Sequence, residues 1–465
     1  MKFATTRFNP VTRMLLAAGM LLAALPGQAE TINLQQAVQM SLAADPRIKE
    51  REQVVEAARG MLQEVRGNAG WRVSANAFIG LAPKADGGFF QNQGGDNNTC
   101  NTPPCTLNSS GDDWNGVSDW THLDFALTKP LYTFGKIERY GEAAQGNVDL
   151  KRGELKQTRG DTVYDTKRAY YGYLTARDIR IFLEDMQGRL NWAIESVERN
   201  LEEETGESRQ SDLYALQTAK GMLAKYVHQS RAIEKISLDG LKVLTGTGLK
   251  AELAVADDRI EPVAFPQIDL ADLQSRALLE RPEMQQLEAG LRTRRALVAA
   301  KKADRMPDVY AGVIGQFNYA SQRERLDNPY LNDPFNGGGL TPVVGVKWDG
   351  VFGATSARVN QAQAELEALN HKKAFAVAGI PFEVGEAYAN ARANHDSQRD
   401  LAEGAAAARR WMVASLADFS AGLESADKVA DAIKNYALAQ TEYLRTVNDY
   451  NMNVAQLARL TGELW

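Results

Sequence analysis

The sequence predicts an α+β fold in which long coiled-coil hairpins of helices accompany four β-strands. Three observations predict it: the chain repeats one unit twice, each unit contains two segments with strand-like alternation, and each unit ends in two very long helical runs. The chain has 465 residues, of which 44% are hydrophobic and 24% are charged. This composition is typical of a folded protein and excludes a low-complexity or disordered chain.

Two copies of one unit follow each other along the chain. Three pairs of segments match in the same order, namely 31–46 with 267–282, 134–135 with 352–353, and 241–246 with 457–462. The offset between the copies is largest in the first pair and almost the same in the other two, so the copies differ in length mainly in one loop. We therefore predict a first structural repeat over residues 30–250 and a second over residues 251–465.

Four segments alternate between apolar and polar residues, as β-strands do. We predict these strands at about residues 70–81, 120–132, 307–319 and 342–352. One apolar and one polar face suits either a half-buried sheet or a membrane barrel with lipid outside and water inside. Aromatic residues near the strand ends favour the membrane interpretation, because such residues prefer bilayer interfaces. They are Trp71, Trp120, Tyr132, Tyr319 and Phe352.

Two helical hairpins follow the strands, and we predict them over residues 136–246 and 354–462. In the last helix, apolar and aromatic residues recur at alternating steps of four and three, from Val429 and Ile433 to Leu457. This is the spacing of a coiled coil, so each long helix must pack against neighbours along its length. Pro381 lies inside the third long helix, where we expect a kink or a break.

Residues 1–29 have the features of a secretory signal peptide. Basic residues, ending with Arg13, precede an apolar run from Met14 to Leu25. Gly27–Ala29 then offers a small-x-small cleavage site. The apolar run is too short to span a membrane comfortably, so we expect cleavage after this site and export of the protein. The remaining chain has 50 basic and 59 acidic residues, a net charge of −9 that argues against nucleic acid as a partner.

The two cysteines, Cys100 and Cys105, lie in a loop rich in glycine, asparagine and proline. In an oxidising compartment such a pair most often forms a small disulfide, and we predict one here. A metal site would need two more ligands, and the nearest histidine, His122, is alone. We therefore predict no metal site in this loop.

Four strands per chain place a condition on the membrane interpretation. Four strands cannot close a barrel, and an open sheet edge cannot face lipid. Several chains must then contribute to one barrel: two chains would supply eight strands, and three chains would supply twelve and a wider lumen.

The sequence resembles the TolC-like outer membrane efflux protein family over essentially the whole mature chain. The resemblance rests on four ordered features: an L-x-x-A-V…D-P opening at Leu34 to Pro46, the segment P-L-Y-T-F-G at 130–135, the turns Gly206-x5-Asp212 and Gly422-x4-Asp427, and the two L-T-G ends. It implies a homotrimer in the outer membrane, with a 12-stranded β-barrel continuous with a periplasmic α-helical tunnel. It further implies a passive exit duct that a periplasmic adaptor and an inner-membrane ABC or proton-driven exporter recruit.

The hairpin turns are the places where this resemblance locates function. It implies that aspartates after the second turn line the periplasmic mouth of the tunnel, and Asp427 matches this position. Asp431 lies one turn later on the same face of the helix and would add a second ring. The turn residues Gly206, Arg209, Asp212, Gly422 and Glu424 are then candidates for adaptor docking. The alternative is ordinary turn and cap chemistry, in which glycine ends one helix and Ser or Asp begins the next. The family's gate arginine is absent here, and Arg209 with Glu424 would be a reversed pair.

No motif for catalysis or for a cofactor is present, and we expect neither. The competing class is a periplasmic coiled-coil scaffold whose strands form an ordinary sheet. Within the channel class, drug efflux and type I protein secretion both remain open.

Overall fold

The computed structural model describes residues 30–85, 90–91, 106–107, 113–203, 209–323, 333–349 and 352–463. The predicted signal peptide lies outside these ranges, as do Cys100, Cys105 and Gly206. The predicted disulfide and the first tip glycine therefore remain predictions.

Helices make up most of the described chain. They are α1 (Leu34–Ala44), α2 (Pro46–Gly67), α3 (Lys136–Glu202), α4 (Gln210–Thr245), α5 (Leu270–Glu280), α6 (Pro282–Ala303), α7 (Phe352–Ser420) and α8 (Ala426–Leu460). The second helix of each repeat begins at its proline, Pro46 or Pro282, as predicted, because proline lacks only an N–H that the first helical turn leaves unpaired in any case. In α1, Asn33 caps the helix, since its side chain accepts the N–H of Gln36 at 2.9 Å.

Within the described residues, the strands form three sheets. They are β1 (Glu30–Ile32), β2 (Arg72–Lys84), β3 (Phe90–Gln91), β4 (Thr106–Leu107), β5 (Asp113–Tyr132), β6 (Leu253–Val255), β7 (Asp308–Ala320) and β8 (Gly337–Lys347). The main sheet has four antiparallel strands in the order β2-β5-β7-β8. Two small sheets pair β1 with β6 and β3 with β4. The chain thus combines very long helices with one four-stranded sheet, as predicted.

The chain divides into two compact units. A helical unit contains Met1–Arg51, Leu155–Met284 and Ala376–Trp465, and a sheet unit contains Glu52–Glu154 and Gln285–Phe375. Each unit takes residues from both predicted repeats.

The core of the helical unit lies along the coiled-coil positions. Leu183, Leu190, Val429, Ile433 and Val447 are fully buried in one apolar cluster. The spacing of four and three in the sequence therefore identifies residues that the long helices bury, as predicted.

The last strand lies earlier in the sequence than predicted. We predicted it over 342–352, whereas β8 spans Gly337–Lys347. Gly337–Gly339 show no alternation, but their backbone pairs with residues 316–318 of β7, which extends the strand at that end. At the other end helix α7 already begins at Phe352. Strand β5 is likewise longer than predicted. It begins at Asp113, because its first residues pair with β2 as far as Lys84.

Of the two outcomes predicted at Pro381, the break does not occur, because helix α7 continues through this residue, whereas the kink stays a prediction. Proline lacks the N–H that would bond to the carbonyl of Val377. Because Val377 is exposed, water can replace the missing hydrogen bond to that carbonyl. The carbonyl of Pro381 accepts a further hydrogen bond from the Gln274 side chain at 2.9 Å, which fixes the helix to α5 at this point.

The L-T-G ends of the two repeats adopt the same backbone conformation. Gly246 and Gly462 are left-handed, with φ of 73° and 79°, and each ends a long helix. A Cβ at Gly246 would lie 2.6 Å from Ala44, and one at Gly462 would lie 2.7 Å from the carbonyl oxygen of Glu280. Ala44 and Glu280 are the last residues of α1 and α5. Glycine is required at both ends by conformation and by close packing.

Candidate functional site: the sheet faces and the hairpin tips

The register of the main sheet separates an apolar face from a polar face. Val73, Leu127 and Val313 occupy one row across three strands, and Asn76, Asp124 and Gln316 occupy a row on the opposite face. The apolar face is solvent-exposed in the single chain. Its exposed large side chains are Val73, Ile79, Leu81, Leu123, Phe317, Tyr319, Leu340, Val344 and Val346. An exposed apolar face of this extent marks an interaction surface.

The polar face carries a short chain of hydrogen bonds. Nε2 of His122 lies 2.8 Å from the carboxylate of Asp124, and Nδ1 contacts the side-chain oxygen of Asn318. The alternation in the sequence places His122 and Asp124 on the same polar face of a strand, because they are two residues apart. The alternation could therefore have predicted this cluster.

Both outer strands of the main sheet, β2 and β8, have a single strand neighbour among the described residues. The backbone groups on their free edges are thus available for pairing with another strand.

The first hairpin tip shows cap chemistry. The carboxylate of Asp212 accepts the backbone N–H of Arg209 at 3.0 Å, immediately before α4 begins at Gln210. This bond fixes the start of the helix and holds an acidic residue in its first turn, where the helix dipole favours negative charge.

The second hairpin tip is a left-handed glycine turn. Gly422 has φ of 73°, and its N–H donates to the carbonyl of Phe419 at 3.0 Å. The N–H of Leu423 donates to the carbonyl of Asp418 at 2.8 Å, which completes a Schellman motif at the end of α7. Leu423 is 79% exposed at this apex. Our sequence reasoning missed Leu423, although an apolar residue in a polar turn was its visible signal.

The two candidate gate residues lie on the first turns of α8, and both are exposed. A hydrogen bond from Ser425, together with backbone N–H groups, lowers the pKa of the Asp427 carboxyl below its usual value. Asp431 lies 3.8 Å from the amine of Lys434. In the single chain, Asp427 therefore behaves as a residue that stabilises the helix start, and Asp431 has a partly compensated charge.

Glu424 is bound within its own hairpin. Its carboxylate accepts a hydrogen bond from the hydroxyl of Ser415 at 2.5 Å and lies 3.9 Å from the amine of Lys428. These contacts hold the turn against α7. They give the reversed pair with Arg209 no support in the single chain.

A buried acidic group connects the short helices to α3 in the helical unit. The carboxylate of Asp45 accepts hydrogen bonds from the Thr162 hydroxyl at 2.7 Å and from the Arg47 guanidinium at 2.9 Å. Burial alone would raise the pKa of the Asp45 carboxyl, but the hydrogen bonds from Arg47 and Thr162 outweigh it and lower that pKa. Asp45 is therefore charged in the folded protein at neutral pH.

In the part of the chain that the structure describes, no cluster of three or more His, Cys, Asp or Glu residues is arranged to hold a metal ion. Among the same residues, no helix combines the length and the apolarity that a membrane crossing requires.

Comparison with known proteins gives a family match for the second repeat. Residues 273–463 match the profile of the outer membrane efflux protein family. The second repeat is an outer membrane efflux protein domain. The resemblance seen in the sequence is thereby confirmed, and the domain extends from α5 to the end of α8. The family consists of outer membrane channels and not of enzymes. No curated protein gave a significant match to the chain.

Solved outer membrane channels have the same fold as the efflux protein domain and the repeat that precedes it. The outer-membrane channel OprN is 17% identical, with a TM-score of 0.73 over 92% of this chain and 89% of that one. The CmeC outer membrane channel of Campylobacter jejuni is 12% identical, with a TM-score of 0.73 over 99% and 93%. The open state of the MtrE outer membrane channel of Neisseria gonorrhoeae is 16% identical, with a TM-score of 0.65 over 92% and 89%. At such identities the likeness establishes the fold.

Proposed function

We propose that the protein is the outer membrane channel-tunnel of a tripartite export system. Three chains form one 12-stranded barrel in the outer membrane, and their long helices form a duct in the periplasm. The duct is passive, and a periplasmic adaptor and an inner-membrane exporter recruit and open it. The family match of the second repeat and the fold shared with outer membrane channels support this proposal.

One observation carries the proposal: the main sheet has an exposed apolar face and two free edges. In lipid an unpaired edge leaves several N–H and C=O groups unsatisfied, so the sheet must continue into other chains. The order β2-β5-β7-β8 allows β8 of one chain to pair with β2 of the next. Three chains of four strands give twelve, which leave a lumen that eight strands would fill with side chains.

The height of the apolar face fits a bilayer. From Val309 to Tyr319 it covers ten residue steps along β7. At 3.3 Å per residue this is about 33 Å, and at a strand tilt of about 40° the band is about 25 Å tall. Outer membrane barrels carry an apolar band of about 25 Å. The polar row of Asn76, Asp124 and Gln316 would then face water in the lumen.

The hairpin tips are the part of the duct that would meet partners. We assign Asp427 and Asp431 to the periplasmic mouth, where three chains would bring six carboxylates together. The tip residues Arg209, Asp212, Gly422 and Glu424, with Gly206, would contact the adaptor. The exposed side chain of Leu423 at the apex gives such a contact an apolar centre.

Two adjacent residues of β8 provide a matched test against the scaffold alternative. Leu340 is 72% exposed and lies on the apolar face opposite Gly315, whereas Thr341 is exposed on the polar face opposite Ile314. Arginine on the lipid face near the midplane costs about 2–4 kcal/mol, and lumen positions tolerate it. We expect Leu340→Arg to abolish the heat-modifiable trimer in the outer membrane fraction and Thr341→Arg to retain it. A water-exposed sheet would tolerate both changes equally, and that result would favour the scaffold.

A further inference from the structure

The long helices of the two repeats correspond residue by residue. Helices α3 and α7 end at Glu202 and Ser420, and these two residues have the same offset as the matching segments 134–135 and 352–353. Helices α4 and α8 begin at Gln210 and Ala426, with the same offset as the matching segments 241–246 and 457–462. Each residue of α3 and α4 therefore has a defined counterpart in α7 and α8.

Within the chain, α3 of the first repeat contacts α8 of the second. The rings of Phe182 and Tyr436 lie 5.0 Å apart in an edge-to-face arrangement. The guanidinium of Arg459 pairs with Asp161 at 2.7 Å and lies 5.6 Å from the centre of the Tyr164 ring. These contacts join the first helix of the first hairpin, α3, to the second helix of the second hairpin, α8.

The corresponding contact of the second repeat would join α7 to the α4 of another repeat, and its two surfaces are open in the single chain. Phe382, the counterpart of Tyr164, is 72% exposed. Val243, the counterpart of Arg459, is 59% exposed. Large apolar side chains that are exposed on two helices at matching positions indicate a contact made on assembly.

The counterpart residues also match each other chemically. Tyr436 corresponds to Lys220 and Phe182 corresponds to Asp400, so an aromatic pair within the chain is replaced by opposite charges. At the other end of the contact, the cation Arg459 is replaced by valine, its acidic partner Asp161 by Gly379, and the ring of Tyr164 by that of phenylalanine. A charged contact within the chain thus corresponds to an apolar one, because the cation and the acid are lost together. Lys220 and Asp400 are exposed, and neither forms an ion pair within the described residues.

We propose that a second copy of this chain docks its α4 on α7, with Lys220 of one copy paired with Asp400 of the next and Val243 packed on Phe382. The α3–α8 contact within a chain is thus repeated between chains. A contact between two different faces is head-to-tail, and it closes into a ring when the rotation permits. The proposal rests on the proposed homotrimer and adds to it the faces and residue pairs that hold the chains together.

Carbodiimide coupling tests the pair without altering the chain, because it joins an amine to a carboxylate in direct contact. Unlabelled and ¹⁵N-labelled chains are assembled together, extracted in detergent, coupled and analysed by peptide mass spectrometry. We expect a Lys220–Asp400 cross-link that combines labelled with unlabelled peptide. Lys235 and Asp239, whose side chains lie 2.6 Å apart within one chain, provide the matched control and should give only links within one label.

Charge exchange gives a second readout. Lys220→Glu should reduce the trimer fraction because it places two carboxylates in contact, and adding Asp400→Lys should restore it. A trimer that lacks the mixed-label link, or a double exchange that fails to restore assembly, would overturn this pairing and leave the proposed channel intact. A chain that stays monomeric in detergent would overturn both proposals.

Discussion

Replacement of Gly462 by alanine tests how the end of each repeat is packed. Its backbone is left-handed, with φ of 79°, which costs alanine about 1–2 kcal/mol relative to a helical conformation. The added Cβ would also lie 2.7 Å from the carbonyl oxygen and 2.9 Å from the carbonyl carbon of Glu280. These atoms belong to the backbone at the end of α5 and cannot rotate away. Overpacking of this kind costs about 1–3 kcal/mol, so the sum is about 2–5 kcal/mol per chain.

Gly248 provides the matched control. It is also left-handed, with φ of 86°, but a Cβ there would meet nothing within 4 Å. Gly248→Ala should therefore cost only the conformational part, about 1–2 kcal/mol. Gly246→Ala should resemble Gly462→Ala, because its Cβ would lie 2.6 Å from Ala44.

The assay is the loss of helical circular dichroism on heating in detergent, at one protein concentration and one scan rate. A protein of this size is not expected to unfold in two states, so the apparent Tm values of the variants are ranked and are not converted into free energies of unfolding. The apparent Tm should fall clearly further for Gly462→Ala and Gly246→Ala than for Gly248→Ala. Equal shifts for all three would refute the packing argument and leave backbone conformation as the sole reason for glycine.

Three further predictions concern the gate, the loop and the buried acid. Replacing both Asp427 and Asp431 by Asn should reduce cation selectivity and the block by trivalent cations in a planar bilayer. If the two residues act only as caps, the hairpin should instead lose about 1 kcal/mol and the block should remain. Cys100→Ser should leave trimer assembly and export nearly intact, and loss of folding would show a structural role for the loop. The lowered pKa of Asp45 means that its contribution to stability is present above its ordinary value of 3.8 and is lost as the pH falls below it. The stability of Asp45→Asn should therefore depend less steeply on pH in the acid range than that of the wild type. An unchanged acid unfolding transition would contradict this.

The sequence predicts the elements well where a pattern is strong and long. The coiled-coil spacing identifies the buried residues of α8, and the alternation identifies the two faces of the sheet, because each depends on periodicity alone. The start of β8 could not be predicted, since Gly337–Gly339 carry no alternation and extend the strand only because β7 lies beside them. The continuity of α7 through Pro381 could not be predicted either, because it depends on surrounding structure, including the Gln274 side chain.

The candidate site illustrates a different limit. An aspartate one residue into a helix serves equally as a cap and as a member of a charged ring, so the position of Asp427 predicts both roles. Its hydrogen bonds within one chain support the cap, whereas a ring would exist only among three chains. The α4 and α7 surfaces could be found only after the structure gave the contact between Phe182 and Tyr436, because no single-residue pattern distinguishes Lys220 or Asp400 from other exposed charges.

The number of chains per particle tests the central claim most directly. Native mass spectrometry of the protein, extracted from membranes in detergent and without cross-linking, should give three chains per particle. The free edges of β2 and β8 require further chains in the same barrel, and three chains of four strands leave a lumen that eight strands would fill. A stable monomer that needs no detergent would contradict the account, because its apolar sheet face and both strand edges would then be compatible with water.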